Sequence, residues 1–137
     1  MLSQAMFGST TIPVLEQVVN FAQARHNVLA GNLANIDTPG YRTRDLPPEQ
    51  FESRLRQAID ARDQQGSRCG WENGTAPVDH LAQLSENMNG ILLHDESNVS
   101  PEHQVAEITK NQTRHNLALS ILSSQFRQLQ AAISERA

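Results

Sequence analysis

The chain has 137 residues, 38% hydrophobic and only 4% aromatic, so a self-sufficient globule built from it has a small core. Eleven Lys and Arg against fifteen Asp and Glu give a net charge of −4 with no basic block, which argues against nucleic acid and an anionic membrane surface as partners. One cysteine, Cys69, excludes an internal disulfide framework and cannot alone hold a structural zinc.

In chain order, the first element is a helix over 12–36. Ile12, Leu15, Val19, Ala22, His26, Leu29, Leu33 and Ile36 recur at alternating steps of three and four, the pattern of a coiled-coil seam. Thr11 is the expected N-cap with Pro13 in the first turn, and Asp37, Thr38, Pro39 and Gly40 stop the helix. The first positive charge is Arg25, and no apolar run has the form of a secretory leader or a membrane span, so neither Sec export nor membrane insertion is expected.

The middle, 37–99, starts with a type II turn at Thr38 to Tyr41, where Pro39 presets φ and Gly40 accepts a positive one. A short helix is expected after Pro47 and Pro48, with Phe51, Leu55, Ala58 and Ile59 on one face. From residue 64 to 99 four glycines and two Asn-Gly pairs predict loops, with one short strand at Ile91 to His94.

The C-terminal element is a helix over 101–134. Val105, Ile108, Gln112, His115, Leu119, Leu122, Phe126, Leu129 and Ile133 repeat the seam for four heptads, with Ser100 as N-cap, Pro101 in the first turn and Glu102 facing the helix dipole. Leu117 and Ile121 lie off the seam and widen the apolar face. The expected fold is therefore mainly α: two long terminal helices paired as an antiparallel coiled-coil-like hairpin in a single domain, with a short helix and minor β structure between them. In that pairing Ile12 sits near Ile133, Ile36 near Val105, and His26 level with His115.

Enzymatic constellations are not visible: there is no G-x-S-x-G, no H-E-x-x-H and no phosphate-binding glycine loop. His80, His94, His103 and His115 do not form a metal-ligand spacing, so no catalytic residue, metal ligand or cofactor is assigned. Each seam helix is marginal alone, because helical stability comes mostly from burying the apolar face. The terminal helices are therefore expected to gain order from neighbours, and a generic coiled-coil adaptor remains the rival reading.

The segment Asn32-Leu33-Ala34-Asn35-Ile36-Asp37-Thr38-Pro39-Gly40-Tyr41 resembles the signature of flagellar basal-body rod and hook proteins. Chain length, the direct run from Asp37 through Tyr41, the central Thr75 and His80, and the ending from Leu119 to Ile133 resemble the proximal-rod branch, the FlgB family. The chain departs from it at Asp95 to Ser100, where a glycine turn is usual, and at His115, where a tyrosine is common. The resemblance implies a structural rod subunit in the flagellar basal body, exported without a cleaved leader by the flagellar type III apparatus. Implied partners are copies of itself, other proximal rod proteins and the adaptor joining rod to membrane ring. The implied assembly residues are the turn motif and the seam positions Leu15, Val19, Leu29, Ile36, Val105, Ile108, Leu119, Leu122, Phe126, Leu129 and Ile133.

Overall fold

The computed structural model describes residues 11–67, 93–94 and 100–134. Helix α1 spans Ile12–Ala34, strand β1 Arg44–Asp45, helix α2 Pro48–Ser67, strand β2 Leu93–His94 and helix α3 Pro101–Ser134. The two terminal helices pack together as an antiparallel hairpin, so the expected mainly α architecture stands.

Local chemistry accounts for the ends of these elements. Ser100 starts α3 by accepting from the backbone N–H groups of His103 and Gln104 on its carbonyl, while its hydroxyl lies 3.4 Å from the His103 nitrogen. The backbone N–H of Glu102, and after it the Ser100 hydroxyl, hold the Glu102 carboxyl below its ordinary range. Thr11 precedes α1 with Pro13 in the first turn, but its side chain makes no capping bond. At the other end α1 stops at Ala34, two residues before the expected Ile36, because Asn35 caps it.

The core is one-sided. Phe21 of α1, Leu46, and Phe51, Leu55 and Ala58 of α2 form one buried cluster, with Val14, Val18, Ala24, Val28 and Ile59 packed around it. The Phe21 and Phe51 rings stack with centroids 4.0 Å apart and planes 8° from parallel. Burying such side chains contributes about 1.5–3 kcal/mol each, so this cluster is the main apolar support of the described structure. The middle helix is thus 20 residues long, not short, and its expected apolar face is the one that packs. The expected strand at Ile91 to His94 is described only at Leu93–His94; it pairs antiparallel with β1, Arg44 opposite His94 and Asp45 opposite Leu93. The rest of the 64–99 reading beyond Ser67, including Cys69, Thr75 and His80, lies outside the described residues.

The hairpin seam differs from the expected one by rotation and by register. On α3 the residues turned to α1 are Gln104, Asn111 and Ala118, all buried, with Ile108, His115 and Leu122 half-buried between them. Val105, Leu119, Phe126 and Ile133, expected in the seam, are instead exposed, by 50, 41, 50 and 73%. The cause is polar: Asn111 donates to the Ala22 carbonyl at 2.7 Å, Glu107 pairs with Arg25 at 3.0 Å, and Ala118 is small enough to let the helices approach. A buried polar group without a partner costs more than an exposed aliphatic one, so these contacts decide which face turns inward. The same bonds set the register. With Asn111 opposite Ala22 and Glu107 opposite Arg25, His115 lies about 12 Å along the axis from the level of His26, and Ile12 sits near residue 121, not Ile133. The two imidazoles therefore do not share a layer, and each keeps a buried Nδ1 with no hydrogen-bond partner.

Candidate functional site: the turn and its polar latch

The turn motif begins inside α1 and leaves it through a capped end. Asn35 has φ −109°, so it is not left-handed as an asparagine at a helix end could be; its backbone N–H reaches the carbonyls of Gly31 and Asn32, and its side-chain amide donates to the Gly31 carbonyl at 2.8 Å. Three residues on, Thr38 N–H donates to the Asn35 carbonyl at 3.0 Å. Tyr41 N–H then donates to the Thr38 carbonyl at 3.1 Å across Pro39 and Gly40, and Gly40 has φ +77°. That is the expected type II turn, with glycine at the position where a side chain would be strained. No heavy atom lies within 4 Å of where a Gly40 Cβ would sit, so the requirement is backbone conformation and not space.

The motif has an inner and an outer face. Leu33, Ala34, Asp37, Thr38, Pro39 and Gly40 are exposed, Asn35, Ile36 and Tyr41 are half-buried, and Asn32 is 1% exposed. Asn32 is the hub. Its Oδ1 accepts from the Arg44 backbone N–H at 3.1 Å while its Nδ2 donates to the Arg44 carbonyl at 2.6 Å, so one amide pairs with β1 as a neighbouring strand would. Tyr41 Oη donates to the same Oδ1 at 3.2 Å, bringing the far end of the turn back onto the helix. Gln104 Oε1, on α3, lies 3.5 Å from Asn32 Nδ2.

About two turns earlier on α1, Arg25 fixes the next residue of the strand. It is 3% exposed and holds Asp45 with two parallel bonds, Nε to Oδ1 at 2.9 Å and Nη2 to Oδ2 at 2.8 Å, while Nη2 also donates to Glu107 Oε2 at 3.0 Å. Burial opposes the guanidinium charge, but Asp45 and Glu107 together outweigh it and hold its pKa above the ordinary value. Glu107 is held below the ordinary carboxylate range, chiefly by Lys110 Nζ at 2.7 Å and then by Arg25, against partial burial. Asp45 Oδ1 also accepts from Leu46 N–H at 2.7 Å, which aims Leu46 into the apolar core. Turn, strand, core and C-terminal helix thus meet at Asn32 and Arg25.

Of the expected packing positions, Leu29 is fully buried, Leu15, Val19, Ile36, Ile108, Leu122 and Leu129 are half-buried, and Val105, Leu119, Phe126 and Ile133 face outward. Arg25, Asp45, Gln104, Glu107 and Asn111 lie off the apolar repeats by which the sequence marks its seams. The signal in the sequence is the row Gln104, Asn111 and Ala118, two amides and a small residue at seven-residue spacing beside the apolar row. Among the described residues no three His, Cys, Asp or Glu side chains converge on a metal-sized site, and no helix is long and apolar enough to cross a membrane.

Residues 19–42, from mid α1 through the turn, match the family model described as flagella basal body rod protein. Over 135 aligned residues, covering 92% of this chain and 94% of the relative, the chain is 29% identical to the flagellar basal body rod protein FlgB of Aquifex aeolicus (strain VF5). The family match contains the whole turn motif, and the relative extends the likeness along nearly the full length. The family model and the relative carry the same description, flagellar basal body rod protein, so both likenesses point in one direction.

Proposed function

We propose that the chain is a subunit of the proximal part of the flagellar rod, polymerising through its terminal helices, transmitting torque and lining the channel through which later subunits are exported. The observation that carries this reading is the outward display of apolar side chains on α3. Val105, Leu119, Phe126 and Ile133 run along one flank of the hairpin seam, and Leu117 and Ile121, exposed by 60 and 41%, lie on the other. A helix with a partner on one face and apolar rows on both flanks is suited to two further helical neighbours.

Torque passes along such an assembly only if neighbours cannot slip, and side chains seated between ridges of an adjacent helix resist shear. Copies of the chain, other proximal rod proteins and the adaptor to the membrane ring are the expected neighbours, and the flagellar type III apparatus the expected route to a periplasmic rod. The rival, a coiled-coil adaptor, needs the seam but has no use for an exposed Asp37-Thr38-Pro39-Gly40 corner.

Replacing Pro39-Gly40 by Ala-Ala in a host lacking its own copy tests the choice. Loss of motility and of the chain from purified basal bodies, with the isolated subunit still folded, is the expected result. A wild-type chain absent from purified basal bodies would refute the rod assignment.

A further inference from the structure

Helix α3 carries a row that the described residues leave open along its length. Val105, Gln112, Leu119, Phe126 and Ile133 recur every seven residues, and all five are exposed, the four apolar ones by 41 to 73%. The neighbouring row, Thr109, Asn116, Ser123 and Gln130, is exposed throughout as well. A seven-residue repeat held over about 42 Å follows the supercoil of a partner helix, and that partner has to run as far. Helix α1 does not: it meets α3 through another row, Gln104, Asn111 and Ala118, and its first residue falls near residue 121, short of Phe126 and Ile133. Among the described helices, of 23, 20 and 34 residues, α3 itself is the one long enough to match the repeat.

We infer that the occupant of this row is α3 of a second copy of the chain, packed parallel and in register, so that each residue of the row meets its own counterpart. The amide in the row decides the orientation. In the parallel pair Gln112 meets Gln112, and its Nε2 already donates to Asn116 Oδ1 at 3.0 Å, which leaves Oε1 and the second amide hydrogen for the counterpart. Reversed about Leu119, the pair would set Gln112 against Phe126, an amide without a partner in an apolar layer. Charge does not oppose the parallel arrangement. Neither row contains a charged side chain, and the cations Lys110, Arg114 and Arg127 all lie off them, so no like charges face each other along the contact.

The pair goes beyond the rod reading, since it is a property of the purified chain: its failure leaves that reading standing, and a chain absent from basal bodies leaves the pair standing. Sedimentation equilibrium of the full chain should give twice the mass of one chain, and Leu119→Asp with Phe126→Asp should return it to one with helical content kept. Orientation is read by disulfide formation in a Cys69→Ser chain. Val105→Cys should join to itself, because like positions of a parallel pair lie within disulfide reach, whereas Ser124→Cys, turned away from the row, should not. A single-chain mass at every concentration overturns the proposal, and so does a pair that survives Leu119→Asp and Phe126→Asp. Val105→Cys joining no faster than Ser124→Cys overturns it as well. So does a mixture of Val105→Cys and Ile133→Cys chains that joins 105 to 133, the mark of antiparallel packing.

Discussion

Helix α1 meets its two helical neighbours by different means. Toward α2 it offers Val14, Val18, Phe21 and Val28 to a cluster anchored by Phe51 and Leu55. Toward α3 it offers Ala22, Arg25, Leu29 and Asn32 to Gln104, Glu107, Asn111 and Ala118. Apolar contact is strong and forgiving about register, whereas a hydrogen-bonded seam adds less net energy and tolerates one alignment. The first interface holds the fold together; the second specifies where α3 lies while leaving most of its apolar side chains for other surfaces.

The contrast breaks most visibly at the aromatic stack. Phe51→Ala removes a 4% exposed ring against Phe21, and the expected loss is about 3–5 kcal/mol, a large part of the stability of a chain this size. Urea unfolding followed by circular dichroism reads it. A loss below about 1 kcal/mol would mean that the apolar cluster is not the main support.

On the polar side the largest effect belongs to Arg25. Arg25→Met leaves Asp45 and Glu107 without their shared cation; breaking a buried pair costs about 3–5 kcal/mol, and since Asp45 is 38% exposed the expected loss is nearer 2 kcal/mol. Arg25→Lys should not restore it, because an ammonium cannot make the two parallel bonds to Asp45. A measured change within about 0.5 kcal/mol would demote the latch to a bystander.

Acid should reach this seam before it reaches the aromatic core. Glu107 is lowered in the fold by Lys110 and Arg25, so its contribution is fully present above the unfolded carboxylate value of about 4.3 and fades as pH falls through the lower folded value. Amide exchange on α3 around Glu107 should therefore accelerate below about pH 4 while the α2 face around Phe51 stays protected. Glu107→Gln should remove that part of the pH dependence. Simultaneous loosening of both faces would erase the distinction between them.

Much of this was legible in the sequence, and the reason for the remainder is physical. Helix periodicity, the Ser100 and Pro101 start, and the Pro39-Gly40 corner depend on neighbours within a few residues, and each appears where the chain indicates. The rotation of α3 does not depend on near neighbours. Val105, Leu119 and Phe126 formed the more apolar row, so hydrophobicity alone turned them inward; Asn111 meeting the Ala22 carbonyl 89 positions away reversed that choice. The same holds for Asn32, whose place in the turn motif was plain but whose role as a surrogate strand partner for Arg44 required knowing where β1 runs.

The finest test concerns side chains whose removal should scarcely register in the isolated molecule. Val105 and Leu117 are half or more exposed and lie on opposite flanks of α3, so Val105→Gln and Leu117→Gln should each leave stability within about 0.5 kcal/mol of wild type. If those flanks exist to receive other subunits, the same changes should lower the amount of chain recovered with purified basal bodies, and the double change should lower it further, because the flanks face different neighbours. Unchanged stability with undiminished recovery would leave the outward apolar rows without a role in assembly. A large stability loss would mean instead that α3 packs against its own molecule through a face that the polar seam does not include.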